Sequence, residues 1–356
     1  MARDLVPYLK TLVRNADDLT AQDISEALDI ILTSDEVPDV QISGFLVGAK
    51  AVSRDHQEDF ILAATRRLKK VANMIPASEI SNTAGFVDIV GTGGDGQNTF
   101  NVSTTSAIVV SGMGIPVCKH GGPASTSKSG ASDLLGALGA KLENVNAKTA
   151  GGLLSTNNFV YLSGPVFHPV LARTRIIRKN MGVPSIFNLV GPLLNPAPIR
   201  SRVIGVYAQN LGQIFIECIR ELNKDTPFPS GNAMVVWGTE GLDEISPAQK
   251  TQIWRLVDGE ITTDYIEPAD FGLPAHSLTE VASGTPTENA AIVRQLINDE
   301  LPENHPILDY VLINSAALAV VDGLARDWKR GVELARDSIK SGAAKKALEA
   351  FVAASK

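Results

Sequence analysis

The segment from Asp88 to Thr105, DIVGTGGDGQNTFNVSTT, carries residue types that could bind an anion. The apolar residues from Val87 to Val90 predict a short buried strand, and the glycines after it can bring backbone N–H groups close to a ligand. Ser103 or Thr104 is expected to cap the helix that begins next. Converging amides and the positive end of a helix dipole commonly bind phosphate, so the segment predicts a phosphate site.

Two familiar nucleotide-binding motifs do not fit this glycine cluster. The spacing GTGGDG differs from the GxGxxG of dinucleotide-binding folds. Asp95, Gly96 and Gln97 stand where a Walker loop would continue with Gly-Lys-Ser or Gly-Lys-Thr. The remaining alternative is a glycine-rich turn that only reverses the chain, although such turns rarely have so many polar neighbours.

A second polar cluster follows the next predicted strand, which covers Pro116 to Lys119. Lys119 and His120 precede a glycine pair and the hydroxyl-rich run 125–130, which includes Ser127. A lysine, backbone amides and hydroxyls suit a polyanion, whereas a solvated turn explains the same residues equally well. Neighbouring strand ends of a parallel sheet open into one crevice, and this position favours a second phosphate cradle.

Asp243 and Glu244 follow the strand predicted to end at Trp237. Their carboxylates provide the hard oxygen ligands that Mg²⁺ prefers, and Mg²⁺ commonly accompanies bound phosphate. An isolated Asp-Glu pair is more often an exposed acidic turn. The position beyond a strand end favours the metal.

A basic helix is predicted to begin near Pro169, and it carries Arg173, Arg175, Arg178 and Lys179. Helical spacing places Arg175 and Arg178 close together, so one of them could bind a carboxylate through two hydrogen bonds. The alternative is an ordinary basic helix face. His168 precedes Pro169 and either borders the site or caps this helix.

The composition is that of a globular protein with a large core. The 356 residues are 44% hydrophobic and 20% charged, and the net charge of -7 argues against a nucleic-acid or anionic-membrane surface. The only cysteines, Cys118 and Cys218, lie in apolar runs, which predicts buried thiols and a cytoplasmic protein. The first residues lack the apolar core of a signal peptide, and no apolar run approaches the roughly 18 residues of a membrane span.

The order of predicted elements indicates an α/β protein with a small all-helical N-terminal domain. Apolar residues recur at three- and four-residue steps over residues 1–78, where Thr20 and Asp23 form a candidate capping box. Strands and helices then alternate over 79–356, which predicts a large domain with a central, mostly parallel sheet. The proline-rich run 184–198 is predicted to be an irregular connection.

Together these motifs resemble those of the anthranilate phosphoribosyltransferases. The resemblance covers nearly the whole chain and is carried by GTGGDGxxTFNxST from Gly91, KHG from Lys119, SKSG from Ser127, HP at His168, GVPSIFNLVGPLLNP from Gly182 and LDE from Leu242. It implies transfer of the phosphoribosyl group of 5-phosphoribosyl-1-diphosphate to the amine of anthranilate, with release of pyrophosphate, in tryptophan biosynthesis. It also implies a homodimer formed through the helical domain, to which helices around 168–185 are joined.

The resemblance also implies roles for individual residues. The donor site would comprise Gly91, Thr92, Gly93, Gly94, Asp95, Thr99, Asn101, Ser103, Thr104, Lys119 and Ser127. Ser103, Asp243 and Glu244 would bind Mg²⁺. Anthranilate would meet Gly91, His120, His168 and Arg178, and the catalytic residues would be Lys119, His120, Arg178 and Asp95.

One position departs from the family pattern, and two rival functions share the fold. Many relatives continue KHG with Asn-Arg, whereas this chain has Gly122 and Pro123, so one side-chain contact to anthranilate is missing. The first rival is a pyrimidine nucleoside phosphorylase, which lacks the GTGGDGxxTFN segment. The second is a non-catalytic nucleic-acid-binding relative, which would have no use for the Asp243–Glu244 pair.

Overall fold

A central β-sheet organises the chain in the computed structural model, which describes residues 4–124 and 128–356. In these residues seven strands form one sheet in the order β3-β2-β1-β4-β5-β6-β7. The strands are β1 (Phe86–Gly91), β2 (Val117–Gly121), β3 (Phe159–Ser163), β4 (Ile199–Gly205), β5 (Asn232–Gly238), β6 (Thr251–Val257) and β7 (Glu260–Ile266). The first five strands run parallel, and β6 and β7 are antiparallel, which confirms the mostly parallel sheet.

Helices precede the sheet, separate most of its strands and follow it. Those of the N-terminal part are α1 (Val6–Arg14), α2 (Ala21–Thr33), α3 (Asp39–Ala51) and α4 (Glu58–Val71). Those between the strands are α5 (Val102–Gly112), α6 (Ala131–Ala137), α7 (Ala147–Thr156), α8 (Gly164–Phe167), α9 (Leu171–Met181), α10 (Ile186–Leu189) and α11 (Asn210–Asn223). The C-terminal helices are α12 (Pro286–Ile297), α13 (Pro306–Val321), α14 (Trp328–Lys340) and α15 (Ala343–Ala354).

The N-terminal helices form where the apolar periodicity predicts them. The capping box at the start of α2 is confirmed, because the Thr20 hydroxyl accepts from the Asp23 amide at 3.1 Å and the Asp23 carboxylate accepts from the Thr20 amide at 3.0 Å. Such a cap satisfies amides that have no partner within the helix. Apolar residues on one face of α2, including Ile24 and Leu28, are completely buried.

Two hydrophobic clusters cover the two faces of the sheet. One contains α5, α13 and the C-terminal helices, and it packs against side chains such as Val87 and Val203. The other joins the core of α1–α4 with α11 and with the opposite face of β4, β5 and β6, where Ile204 and Trp254 are buried. The N-terminal helices therefore share a continuous core with one face of the sheet.

Several sequence predictions need correction. The helix after the glycine cluster is capped by Asn101, whose side chain accepts from the Thr104 amide at 3.3 Å, and not by Ser103 or Thr104. The connection 184–198 contains the short helix α10 and a 3₁₀ helix at Gly191–Leu193, so it is not wholly irregular. In the described part of the chain, no helix is long and apolar enough to cross a membrane.

Candidate active site

A cavity of about 310 Å³ opens at the carboxyl ends of β1 and β2, where the sequence predicts an anion site. This is where ligands bind in open parallel sheets, because the connections after neighbouring strands meet there. Most predicted site residues line the cavity, namely Gly91, Thr92, Gly93, Gly94, Asp95, Thr99, Asn101, Ser103, Lys119, His120, Asp243 and Glu244. Gly122 and Pro123 line it as well.

The glycine loop is built around the carboxylate of Asp243. The Gly93 amide donates to Asp243 Oδ2 at 2.6 Å, and Gly93 and Gly94 both have positive φ, which favours glycine. A Cβ on Gly91 would lie 2.3 Å from Asp243 Oδ2, and one on Gly205 would lie 1.6 Å from the Asp243 carbonyl oxygen. Only glycine at the ends of β1 and β4 lets this acidic loop approach.

Asn101 and Ser103 line the cavity at the N-terminal end of α5. Asn101 accepts from the Thr104 amide, whereas the Ser103 amide has no described hydrogen-bond partner, so this end of the helix can still donate to an anion. Thr104 is completely buried, does not line the cavity, and its hydroxyl has no hydrogen-bond partner in the described structure. Ser127 lies outside the described residues.

Burial and neighbouring carboxylates disfavour the charged form of both members of the acidic pair. Burial, and then repulsion from Asp95, raise the pKa of Asp243 to about 8. Burial and Asp243 raise the pKa of Glu244 well above its usual range, against the opposing effect of Lys119. Carboxylates in this state bind a cation favourably, because the cation restores their charged form.

This arrangement fits Mg²⁺ held jointly by protein and substrate. Among residues 4–124 and 128–356, no three or more His, Cys, Asp or Glu side chains are grouped to hold a metal ion. Mg²⁺ is commonly bound through one or two carboxylates together with substrate phosphates, so it does not need a complete protein cage. Asp243 and Glu244 with a diphosphate would meet this requirement.

Lys119 enters the cavity from a buried network of polar groups. Its Nζ donates to the Ile89 carbonyl at 2.7 Å, and it interacts electrostatically with Asp88 and Glu244. Burial lowers the pKa of Lys119, and the two carboxylates oppose that shift. Asn195 donates to Asp88 Oδ2 at 2.8 Å, which fixes the carboxylate beneath the lysine.

The two predicted histidines lie together in a dry environment. The rings of His120 and His168 meet edge to face, with centroids 5.2 Å apart. Burial lowers the pKa of His168 to about 4 and that of His120 well below its usual range, so both are neutral near pH 7. His168 Nε2 lies 3.1 Å from the Leu194 carbonyl, so its side chain does not cap α9, and His168 does not line the cavity.

Arg178 is a partly buried cation near the end of α9, and it does not line the cavity. Its guanidinium carbon lies 5.9 Å from the centroid of the Phe187 ring, and its Nε has no hydrogen-bond partner in the described structure. No described carboxylate forms an ion pair with it, whereas Arg173 pairs with Asp39 at 2.7 Å. Burial and the neighbouring Arg175 lower the pKa of Arg178. Such an arginine is suited to bind an anion.

Sequence reasoning missed the residues that support the site from within. Asn314 on α13 accepts from the Ile245 amide and donates to the Ile245 carbonyl, both at 3.3 Å, and so holds the chain just after Glu244. Asp88 and Asn195 were missed as well, although a charged residue in an apolar strand is a usable signal. Asn314 lies in a long apolar helix, where no local pattern marks its function.

Two family models match this chain. The model described as "Glycosyl transferase family, helical bundle domain" matches residues 6–72, and "Glycosyl transferase family, a/b domain" matches residues 83–345. The cavity belongs to the second region, which contains the glycine loop and the acidic pair. The class is therefore that of two-part glycosyl transferases.

Similar proteins of known activity identify the family within this class. The anthranilate phosphoribosyltransferase of Schizosaccharomyces pombe is 46% identical over 91% of this chain and 90% of its own length. The structure of the Saccharomyces cerevisiae enzyme in complex with PRPP and Mg has a TM-score of 0.90 and 37% identity, and covers 99% of this chain and 97% of that one. The same enzyme with 4-fluoroanthranilate has a TM-score of 0.88, 35% identity and coverage of 99% and 97%.

The chain belongs to the anthranilate phosphoribosyltransferase family. It is an enzyme that transfers a phosphoribosyl group to anthranilate in tryptophan biosynthesis, with Mg²⁺ as its cofactor. The family-level expectation from the sequence is thereby confirmed.

Proposed function

We propose that the cavity at the ends of β1 and β2 is the place where 5-phosphoribosyl-1-diphosphate reacts with anthranilate. One observation carries this proposal: the glycine loop, Lys119 and the Asp243–Glu244 pair converge on a single cavity of about 310 Å³. Backbone amides and a lysine in this cavity could bind a polyanion, and the buried carboxylates could bind a cation. A diphosphate sugar provides the polyanion, and the Mg²⁺ bound with it provides the cation.

The donor would be held by the residues that line this cavity. The Gly94 and Ser103 amides have no described hydrogen-bond partner and could donate to phosphate oxygens, and Lys119 adds a positive charge. Asp243 and Glu244 would hold Mg²⁺ with the diphosphate, and Ser103 is the third proposed ligand. When bound, the metal would offset the negative charge that develops on the leaving group.

The acceptor would approach from the side of His120 and Arg178. Arg178 has an unpartnered Nε and no described ion pair, so it is free to bind the carboxylate of anthranilate. His120 lines the cavity, packs against His168 and, being neutral, would place the aromatic ring without repelling Arg178. A Cβ on Gly122 would meet no atom of the described residues within 4 Å, so this departure would leave space beside the acceptor.

The reaction needs positioning more than proton transfer. The neutral amine nitrogen attacks C1 of the ribose, the bond from C1 to the diphosphate oxygen breaks, and the electron pair leaves with pyrophosphate. The amine then loses its proton to solvent. Lys119 and the loop amides would stabilise the charge on pyrophosphate, and Asp95 would help to place the donor.

We further propose that residues 1–78 form one domain with the helices around 168–185, and that 79–356 form the other. The contacts of α9 with α2 and α3 support this division. Exposed apolar side chains on α1, α3 and α9, including Val13, Val40 and Ile176, support a homodimer through the helical domain. Two buried free thiols, Cys118 and Cys218, support a reducing, cytoplasmic location.

Replacement of the acidic pair tests the proposed site. The double variant Asp243→Asn, Glu244→Gln should lose Mg²⁺-dependent turnover, by at least about a hundredfold, because two charged ligands are lost. Calorimetric titration of the donor-bound enzyme with Mg²⁺ should show the matching loss of binding. The fold should persist, since the substitutions keep the side-chain shapes.

The matched control is Glu260→Gln with Asp264→Asn, a pair of exposed carboxylates on β7. This control should bind Mg²⁺ and turn over as the unmodified enzyme does. Unchanged activity in the Asp243–Glu244 variant would reject the metal assignment.

A further inference from the structure

A second cavity, of about 670 Å³, lies at the opposite end of the sheet from the active site. It is lined by Thr83 just before β1 and by Pro198 just before β4, whereas the active site lies beyond Gly91 at the far end of β1. Six residues of parallel strand span roughly 17 Å, so the two cavities are separate. Its volume is in the range that small-molecule sites occupy.

The cavity lies at the connection between the two regions matched by the family models. Its lining comes from the last turns of α4, from the segment 72–83, from residues 195–198 and from the end of α11 with the loop after it. A molecule bound there would touch the N-terminal helices, the segment that joins them to the sheet, and the sheet itself.

The charged residues of this lining are mostly positive. Arg66, Lys69 and Lys70 face one carboxylate, Asp225, and Asp225 is already paired with Arg66 at 2.9 Å. The side-chain ammonium of Lys69 makes no hydrogen bond or ion pair with the described residues, although Lys69 is partly buried. Burial, and then repulsion from the buried Arg202, lower the pKa of Lys69 to about 8. A bound anion would oppose both effects by stabilising the charged form of Lys69.

The rest of the lining is largely apolar. Met74 is exposed, and Ile75, Ile80, Leu222 and Phe228 complete the hydrophobic wall of the cavity. A hydrated inorganic anion would gain nothing from this wall, and a neutral hydrocarbon would gain nothing from Lys69. The lining matches a ligand that combines an apolar body with one negative charge.

We propose that this cavity is a second ligand site, which binds a hydrophobic organic carboxylate. The carboxylate lies against Lys69, and the apolar body lies against Ile80 and Phe228. The site is independent of the transfer reaction, and its ligand does not compete with either substrate.

Equilibrium dialysis with 2-naphthoate, in the presence of saturating anthranilate, tests this proposal. One molecule should bind per chain, and the neutral analogue 2-naphthylmethanol should bind at least about tenfold more weakly, because it lacks the charge. Lys69→Met should weaken naphthoate binding by about tenfold and leave binding of the alcohol unchanged. Lys346→Met, an exposed lysine on α15, is the control and should have no effect.

Two further variants separate this site from others. Thr83→Trp places a ring at the exposed rim of the cavity and should abolish binding in a protein with an unchanged circular dichroism spectrum. Arg178→Ala should still bind naphthoate, which separates this cavity from the acceptor site. Absence of saturable binding, displacement by anthranilate, or equal affinity for acid and alcohol would overturn the proposal. Retained binding in both Lys69→Met and Thr83→Trp would do the same.

Discussion

At the scale of single residues, the proposed site contains side chains whose bonding capacity is unused within the described residues. Asp243 accepts the Gly93 amide but keeps a pKa raised to about 8, and Arg178 keeps an unpartnered Nε. Buried polar groups are normally satisfied, so each exception requires an explanation. Here a substrate carboxylate and a metal-bound diphosphate would supply the missing partners.

Replacement of Arg178 should affect one substrate selectively. Arg178→Ala should raise KM for anthranilate by about tenfold or more, because a charged hydrogen bond to its carboxylate is lost, and should change KM for the donor little. Steady-state kinetics with each substrate varied in turn would measure both values. The exposed Arg175, on the same helix, provides the control Arg175→Ala, which should change neither. Equal increases in both KM values would place Arg178 in a structural or donor-binding role.

Residue types predicted most of the residues that line this cavity, but the side chains that support them from elsewhere in the chain could not be read from local patterns. The glycine spacing, Lys119 and the acidic pair stand in recognisable local patterns, and the structure brings them to one cavity. The hydrogen bonds from Asn314 to Ile245 join segments 69 residues apart, so no local pattern could reveal them. His168 and Arg178 were predicted to share the site, yet neither lines this cavity.

At the scale of elements, apolar periodicity predicted the helices and strands that bury one face, and it missed the strand that buries almost none of its side chains. The helices α1–α4 and the strands β1–β6 carry clear apolar patterns. Strand β7 has only Ile266 buried, so it lacks the alternation of a half-buried strand. Its signal was the Asp258–Gly259 turn, where both residues have positive φ as a two-residue hairpin requires. The antiparallel edge was therefore predictable from turn chemistry alone.

His168, in the segment after β3, should make the stability of the protein depend on pH. The pKa of His168 is about 4 in the folded protein and near 6.5 when unfolded, so the unfolded chain binds the proton first as the pH falls. Stability from this residue is present above pH 6.5 and is lost toward pH 4. The loss should be about 2 kcal/mol between pH 7 and pH 5.

The variant His168→Gln should remove that pH dependence, since glutamine can still donate to the Leu194 carbonyl but does not titrate. Urea denaturation of both proteins at pH 7 and pH 5 would give the two differences in unfolding free energy. Identical differences would show that His168 is not the titrating group.

At the scale of the whole molecule, the two parts are less separate than their sequences indicate. The change from an all-helical pattern to strand–helix alternation near residue 78 predicted a domain boundary, and across it Phe60 and Leu68 belong to the same hydrophobic cluster as Trp254 in β6. Packing of α4 on α11 joins the two parts, and sequence periodicity cannot show which apolar faces meet. The helical part also keeps an exposed apolar surface on α1, α3 and α9.

We expect the exposed apolar residues of α1, α3 and α9 to form the dimer interface. Val13, Val40 and Ile176 are 84%, 77% and 65% exposed, and a second copy of the chain would cover them. Val40→Asp should shift the enzyme from dimer to monomer in light scattering coupled to gel filtration. The control Leu324→Asp, at a residue that is 46% exposed elsewhere, should leave the mass unchanged. A monomer before any substitution would refute the proposed dimer.

This chain joins anthranilate to a phosphoribosyl group, and we propose that the reaction takes place in the cavity beyond β1 and β2. The most direct test mixes the enzyme with anthranilate, 5-phosphoribosyl-1-diphosphate and Mg²⁺, and follows anthranilate fluorescence together with pyrophosphate. We predict that fluorescence falls, that one pyrophosphate appears per anthranilate consumed, and that both changes require Mg²⁺. Constant fluorescence, with phosphorolysis of thymidine or uridine by the same preparation, would contradict the proposed reaction and indicate a nucleoside phosphorylase.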